Sequence, residues 1–550
     1  MSRIRLVGGT ITKTTGGDHN IYSEGNIVYN SGQAVTETSD TGIKYGDPQD
    51  IPQRKNDDFD ITFELDKKTK SVVPLGILDF KNNAENPYFC FKFGLKKTSI
   101  DSLNFQIIGE NDEIIYQMTY LQTIIVKASE LPKIFSNIPK PTQEPILSKI
   151  WDFQKIYNEF ASSPGDYTKE GEYVIHWDGF DNNDVYDSTK FNNKKLKAKI
   201  TATKGDKQKS LTIDFSTNYT QVQWTDVKID RSKKRIDITL RVDLRDGGTK
   251  GLNCYTYNLP EESSYETFTP TTGTDPLKGY KTTICDWDKI PASELNPAQP
   301  VLKTRTKSFE ELKKLAFEGL ERYWGRNKNN IVGNNVNIID SYEVFINPID
   351  TTKNALNSLP LVYNTNGGWM RSGNPGASYD DGNLDDDLLN ALPDLGVIQR
   401  LSYNAGYIKH DWKNDAHNGW RYHIEKDSNT YYDEVSNFKE TAAHELGHEF
   451  LQAYAGTAFS WQHKGSSYYL PQDTKPIKGD ETFWGKMTHM DEMPETSGEY
   501  YPKNGEIDLM KYYNTTDKAG KFVAGADLKR TIAAEKDVLG LIWLTKLKIQ

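Results

Sequence analysis

The pentapeptide His444-Glu445-Leu446-Gly447-His448 constrains this chain more than any other stretch. In a helix, residues i and i+4 stand one turn apart on a shared face. Two imidazole nitrogens so placed can grip one zinc ion. The carboxylate after the first histidine then stands where it can take a proton from a water on the metal. A solvated helix with two incidental histidines is the bland alternative. The flanking residues suit a helix. Asn437 is a possible cap, with Glu440 three residues on to complete a capping box. Phe438 to Tyr454 contains no proline, and Gly456 supplies a C-terminal stop. Leu446, Phe450 and Ala453 recur at helical spacing, so that stripe should be buried and the His444/His448 side should face a cleft.

Composition narrows the class. A chain of 550 residues has room for about three or four domains. Hydrophobic residues make up 36% and aromatics 12%, a polar, aromatic-rich globular composition rather than a disordered one. The net charge of −10 argues against nucleic acid or an anionic membrane surface as a partner. No window approaches the apolar run that a membrane span needs. No apolar stretch follows Met1-Ser2-Arg3-Ile4-Arg5, so no secretory signal peptide is expected and the protein is cytoplasmic at synthesis. The three cysteines, Cys90, Cys254 and Cys285, indicate no disulfide framework. Buried free thiols are expected, although Cys254 and Cys285 could pair in an oxidising compartment.

Patterning divides the chain. Residues 1–48, rich in Gly, Thr, Ser and Asn, read as an N-terminal arm or leader. Residues 49–145 read as a β domain, with Phe59 to Leu65 alternating apolar and polar as a half-buried strand does. Prolines at 139, 141 and 145 mark a boundary, followed by a helix around Ile146 to Phe160. Strands from Gly171 to Val242 suggest a sandwich over residues 146–250. Residues 251–300 look like a linker. Beyond them, a helix over Phe309–Trp324 precedes strands over Val336–Ile346 and Gln399–Ile408, then the motif helix, then a last helix from about Asp527. The fold class is therefore multidomain, with all-β, sandwich-like N-terminal modules followed by an α+β domain over 301–550.

A catalytic zinc takes three protein ligands and leaves one position open for water. Seven of the nine histidines fall between positions 410 and 489, so the third ligand is expected among them. His463 is preferred, because it follows the helix stop closely enough for the chain to pass back under the metal. His489, Glu492, Glu495, Glu499, Glu506 and Asp508 are the alternatives, since carboxylates are acceptable zinc ligands.

These motifs resemble those of the metzincin-like zinc metallopeptidases over roughly 301–550. Glu506-Ile507-Asp508-Leu509-Met510-Lys511-Tyr512-Tyr513 is similar to that clan's Met-turn, with Met510 and Tyr512 at its methionine and tyrosine positions. The resemblance implies a zincin-like fold, Zn2+ as cofactor and a protein or peptide substrate. It also implies His444 and His448 as ligands beside the preferred His463, Glu445 as general base, and Tyr512 as a zinc ligand or transition-state stabiliser. The chain departs from the clan's long motif, carrying Leu451 and Tyr454 where glycine and histidine are usual. Gly456-Thr457-Ala458-Phe459-Ser460 resembles the aspzincin element but carries serine in place of the needed aspartate. Trp177-Asp178-Gly179-Phe180-Asp181-Asn182-Asn183 resembles a turn of bacterial immunoglobulin-like modules. Its Asp178, Asp181 and Asn183 suit calcium or, as a simpler reading, a solvated Asx-rich turn. Ile4-Arg5-Leu6-Val7-Gly8-Gly9-Thr10 resembles leaders of bacterial proteins, some associated with contractile secretion systems. That implies an exported effector or toxin, an injection apparatus as partner, and a leaderless, contractile-injection or type VI-like route. Two other functions stay open: a structural or adhesive β-domain protein with a closed zinc site, and a zinc hydrolase of non-peptide amide bonds.

Overall fold

The computed structural model describes residues 58–66, 68–121, 167–258, 281–338, 340–373, 399–410, 419–423, 433–456, 499–513, 523 and 525–550. Nearly all of them belong to the unit Ile61–Gln550. Strands dominate, and among the described residues there are three α-helices: α1 (Phe309–Trp324), α2 (Glu434–Ala455) and α3 (Glu535–Trp543). None of them is long and apolar enough to cross a membrane. The arm over 1–48, the helix around Ile146 to Phe160, His463 and His489 lie outside the described residues.

The alternating sequence of the first half forms strands as expected. Asp60–Leu65, Phe89–Lys96 and Gly171–Trp177 make a three-stranded sheet. A six-stranded sheet orders Ser71–Val72, Leu547–Ile549, Lys207–Tyr219, Lys194–Lys204, Ser102–Ile108 and Ile114–Leu121. The two meet through aromatic rings. Phe91 of the small sheet lies 5.3 Å from Phe105 and 5.8 Å from Phe215 of the large one. Phe89 lies 5.0 Å from Trp177 and 6.1 Å from Phe215. Inward residues of both sheets thus make one apolar layer, as in a sandwich.

Among the described residues, sheet pairing crosses the positions near 145, 250 and 300. The strand Leu547–Ile549, the last of the described strands, inserts between Ser71–Val72 and Lys207–Tyr219. Arg235–Val242 pairs in parallel with Ser341–Asp350, placing it inside a five-stranded sheet with Val336–Asn337, Thr225–Asp230 and Val185–Asp187. Leu244–Lys250 pairs in parallel with Leu359–Asn364, which pairs with Leu401–Asn404. Long-range partners of this kind leave no mark on local composition. The final helix also begins later than its apolar spacing suggests. Thr531–Ile532 is a strand paired with Ile507–Asp508, and α3 starts at Glu535.

Helix α1 has the start that its sequence announces. The Ser308 hydroxyl accepts from the Glu311 amide, and the Glu311 carboxylate accepts in return from the Ser308 amide. Its Gly319 abuts the carbonyl of Lys439 on α2 so closely that a Cβ would collide with it. The Asx-rich turn after Trp177 is self-satisfied. Asp178 pairs with Arg231 at 2.7 Å, and Asp181 accepts from the Asn183 and Val185 amides at 2.9 and 3.0 Å. Those carboxylates serve the turn, as the simpler reading held.

Cys90 is a buried free thiol, as expected. The other expectation is corrected, because Cys254 and Cys285 form a disulfide. They face each other across the hairpin Cys254–Asn258/Lys281–Cys285, a pairing that spacing alone does not show. The bridge spans a sequence separation of 31 residues, a loop whose closure restrains the unfolded chain by about 3–4 kcal/mol. Replacing both cysteines by serine should lower unfolding stability by up to that amount in urea titration. An unchanged midpoint would show that the bridge holds only its own hairpin.

Candidate metal centre

Helix α2 starts one turn before the expected cap. The Asp433 carboxylate accepts from the Ser436 amide at 2.6 Å, so Asp433 is the N-cap. Asn437 already donates its amide to the Asp433 carbonyl within the first turn, and Glu440 is therefore an interior residue. Gly456 ends the helix at φ 94°, a conformation that favours glycine. Leu446 and Phe450 are buried as the spacing predicts, Ala453 is half-buried, and Leu451 and Tyr454 are buried as well. The helix is gripped on several sides. Trp324 donates its indole N–H to the Ala443 carbonyl at 3.0 Å, and Phe450 packs between Trp324 and Trp224 at 4.8 and 5.3 Å. Tyr454 donates to the Leu78 carbonyl at 3.3 Å.

The two imidazoles converge. Their ring centroids are 4.8 Å apart with planes at 88°, and both rings are buried. His444 Nδ1 lies 2.7 Å from the Leu509 carbonyl. A proton on Nδ1 satisfies that carbonyl and leaves the Nε2 lone pair as the donor toward a metal. Burial lowers the His444 pKa, while the Leu509 carbonyl and Asp508 oppose that shift. Neutral imidazoles are the form a metal requires. Glu445 lies on the same face, its Oε2 3.9 Å from His448 Nε2.

Under this face runs the segment 506–513. Arg326 anchors it with a two-pronged ion pair to Glu506, at 2.9 and 2.7 Å. Pairing of Ile507–Asp508 with Thr531–Ile532 extends the support, and the Asp508 carboxylate accepts from the Met510 amide at 2.9 Å. The turn so formed presents the Leu509 carbonyl to His444 and buries Met510 completely. Gly447, between the two histidines, is where the helix meets this floor. A Cβ there would stand 2.6 Å from the Trp324 ring and 2.7 Å from Met510 Sδ. Tyr512 stacks on His444, with centroids 5.7 Å apart and planes at 15°.

The donor chemistry fits zinc: two neutral nitrogens, one carboxylate beside them and a tyrosine over one ring. Among the described residues, no group of three His, Cys, Asp or Glu side chains stands together as a complete metal site. The preferred third ligand, His463, falls outside them, as do His489, Glu492 and Glu495. Two of the alternatives are engaged elsewhere, Glu499 with Lys511 and Glu506 with Arg326. Asp508 is occupied in shaping the turn. His410 and His423 flank Trp369, with centroids 5.5 and 5.1 Å from its ring.

Carboxylates crowd α2. Burial pushes Glu440, Glu445 and Glu449 each up to about 7 from an ordinary value of 4.5. Arg371 opposes the shift at Glu445, and the Asn357 amide, donating at 3.1 Å, opposes it at Glu449. Burial and the Glu445 charge push the Tyr512 phenol well above its ordinary value, and the Arg371 charge pulls it back. Sequence reasoning passed over Arg371. The only hint was Trp369-Met370-Arg371 interrupting a Gly- and Asn-rich stretch.

Near α2, the outer edge of one strand is already covered. Leu401–Asn404 is the outer strand of its three-stranded sheet, and residues 370–373 run along it. Gly373 donates to the Arg400 carbonyl at 2.9 Å, and the Ser402 amide donates to Ser372 Oγ at 3.0 Å. The Asn404 side chain bonds both the amide and the carbonyl of Met370.

No protein-family model matches this chain, and no curated protein matches it in sequence. Among solved structures, a β-glucuronidase from Ruminococcus gnavus, in complex with C6-substituted uronic isofagomine, is similar over 35% of this chain and 19% of its own. At 10% identity and a TM-score of 0.11, that likeness carries no argument about fold or activity.

Two outcomes follow from the packing and the charges. Gly447→Ala should cost about 1–3 kcal/mol, the usual penalty for overpacking, because both neighbours are buried. Equal urea midpoints for the variant and the parent would remove the contact from the account. A carboxyl whose folded pKa is raised stabilises the fold below its unfolded value and loses that contribution as pH rises through the folded one. The chelator-treated protein should therefore lose stability between about pH 4.5 and about pH 7, and Glu440→Gln should flatten that slope in thermal unfolding. A slope of the opposite sign would contradict the burial of these groups.

Proposed function

We propose that this protein is a zinc-dependent endopeptidase whose active site lies on α2, within a metzincin-like, zincin-type α+β region over residues 301–550. One observation carries the reading. The paired imidazoles of His444 and His448 converge beside Glu445, with His444 oriented by the Leu509 carbonyl of a turn that seats Met510 under Gly447. His444 and His448 would hold the metal, with His463 as third ligand. Bound there, zinc would lower the pKa of a water and polarise the scissile carbonyl.

The chain's own residues supply the proton traffic. Glu445, whose carboxyl is held near 7 by burial, takes the water's proton and returns it to the leaving amine. Tyr512, stacked on His444 and kept protonated by its surroundings, offers a hydroxyl to the developing oxyanion. Backbone groups of residues 370–373, which cover the edge strand, are better placed than Leu401–Asn404 to align an extended peptide.

The N-terminal sheets would position this site as part of an exported effector delivered by a contractile apparatus. The Cys254–Cys285 disulfide supports a destination in an oxidising compartment.

Zinc stoichiometry and casein cleavage test the assignment together. His444→Ala and His448→Ala should lose the metal. Glu445→Gln should keep it and lose about 100- to 10,000-fold in turnover. Undiminished cleavage by Glu445→Gln would remove the base from the mechanism. Full zinc content in His463→Ala would remove that ligand.

A further inference from the structure

The six-stranded sheet ends on one side at Ile114–Leu121. On the other it ends at the short strands Ser71–Val72 and Leu547–Ile549, which leave residues 208–214 of Lys207–Tyr219 uncovered. The first edge is plugged. The Asn182 side chain accepts from the Gln117 amide at 2.8 Å and donates to the Gln117 carbonyl at 2.7 Å. The second is paired only as far as Ser216, which exchanges both main-chain hydrogen bonds with Gln550 at 2.9 Å. Outward-facing backbone alternates along an antiparallel strand, so Gln208, Ser210, Thr212 and Asp214 point the same way as Ser216. Among the described residues, their amides and carbonyls have no backbone partner on that side. The bare stretch is bounded by Gln550 at one end and by the Gly205-Asp206 turn at the other. At its centre Leu211 is 37% exposed. An open strand edge with an exposed apolar residue is a template for another strand.

We propose that this edge joins a second copy of the chain, the two Lys207–Tyr219 strands pairing antiparallel about a two-fold axis at Leu211. Gln208 then faces the partner's Asp214 and Ser210 faces the partner's Thr212, giving about eight main-chain hydrogen bonds across the axis. On the other face Leu211 meets the partner's Leu211. The partner's Lys209 lays its stem along Ile213, which walls an open cleft with Phe63, Leu65 and Ile549. No like charges stand opposite each other in this register. Sliding the copies two residues one way sets Gln208 against Ser216, a place that Gln550 already fills. Sliding them two residues the other way sets Asp206 against Asp214, with like charges opposed. A slip of one residue puts outward backbone against inward backbone. The bare stretch of each copy is therefore the length that the other fills, ending where one copy's Gly205-Asp206 turn meets the other's Gln550.

Sedimentation of the full chain from about 1 to 100 μM should show a monomer–dimer equilibrium. Leu211→Lys, which opposes two ammonium groups on the axis and removes the apolar contact, should weaken dimerisation about tenfold or more. Thr212→Pro should weaken it as well. The Thr212 amide points away from the neighbouring strand Lys194–Lys204, so its loss removes no hydrogen bond within the sheet. Cysteine crosslinking reads the register. Leu211→Cys places a thiol opposite its own copy, at a Cα separation of about 4.5 Å, and should give a covalent dimer under mild oxidation. Asp214→Cys, far from the axis, should not.

A monomer throughout the concentration range overturns the inference. So does a dimer that neither Leu211→Lys nor Thr212→Pro weakens, or a covalent dimer formed by Asp214→Cys and not by Leu211→Cys.

Discussion

The contact at Gly447 is what the rest of the site depends on. A helix carrying two histidines has no fixed relation to the chain around it until something sets its depth and rotation. Here the missing side chain lets the backbone settle onto the Trp324 ring and Met510 Sδ. That depth brings His444 Nδ1 within 2.7 Å of the Leu509 carbonyl, one residue from the methionine that forms the floor. Rotation is set by Trp324 holding the Ala443 carbonyl, directly before His444. Metal affinity and ring orientation are therefore properties of packing as much as of the two imidazoles.

The floor has its own support. Buried Arg326 joins three separate pieces of chain: it pairs with Glu506, donates to the Ala533 carbonyl, and reaches the Asn335 carbonyl. Removing the exposed Glu506 would leave the buried Arg326 guanidinium without its carboxylate, so the pair holds the turn in place. Its net contribution to stability can still be small, because the guanidinium was taken out of water to form it.

Local features were legible in the sequence. The helix over Phe309–Trp324, the stop at Gly456, the alternating strands and the pentapeptide all follow from interactions within a few residues. The start of α2 was misjudged because Asn437 and Glu440 imitate a capping box one turn inside the true cap, Asp433. What escaped depends on partners far along the chain: the Cys254–Cys285 pair, the strand at Thr531–Ile532, and the parallel pairing that joins Arg235–Val242 to Ser341–Asp350. Arg371 escaped for the same reason. An arginine in a polar loop becomes informative only when the fold brings its charge to bear on Glu445 and Tyr512, distant in sequence.

The placement of Leu547–Ile549 between Ser71–Val72 and Lys207–Tyr219 bears on how the molecule comes into being. A ribosome makes the flanking strands first and must synthesise several hundred further residues before the gap between them can be filled. Until then the large sheet has an open slot, and α3, which leads directly into the missing strand, has no anchor on its far side. Closure over so great a sequence separation carries a high entropic threshold and makes for slow folding. Until Leu547–Ile549 is made, a nascent chain would thus expose unpaired strand edges along this sheet.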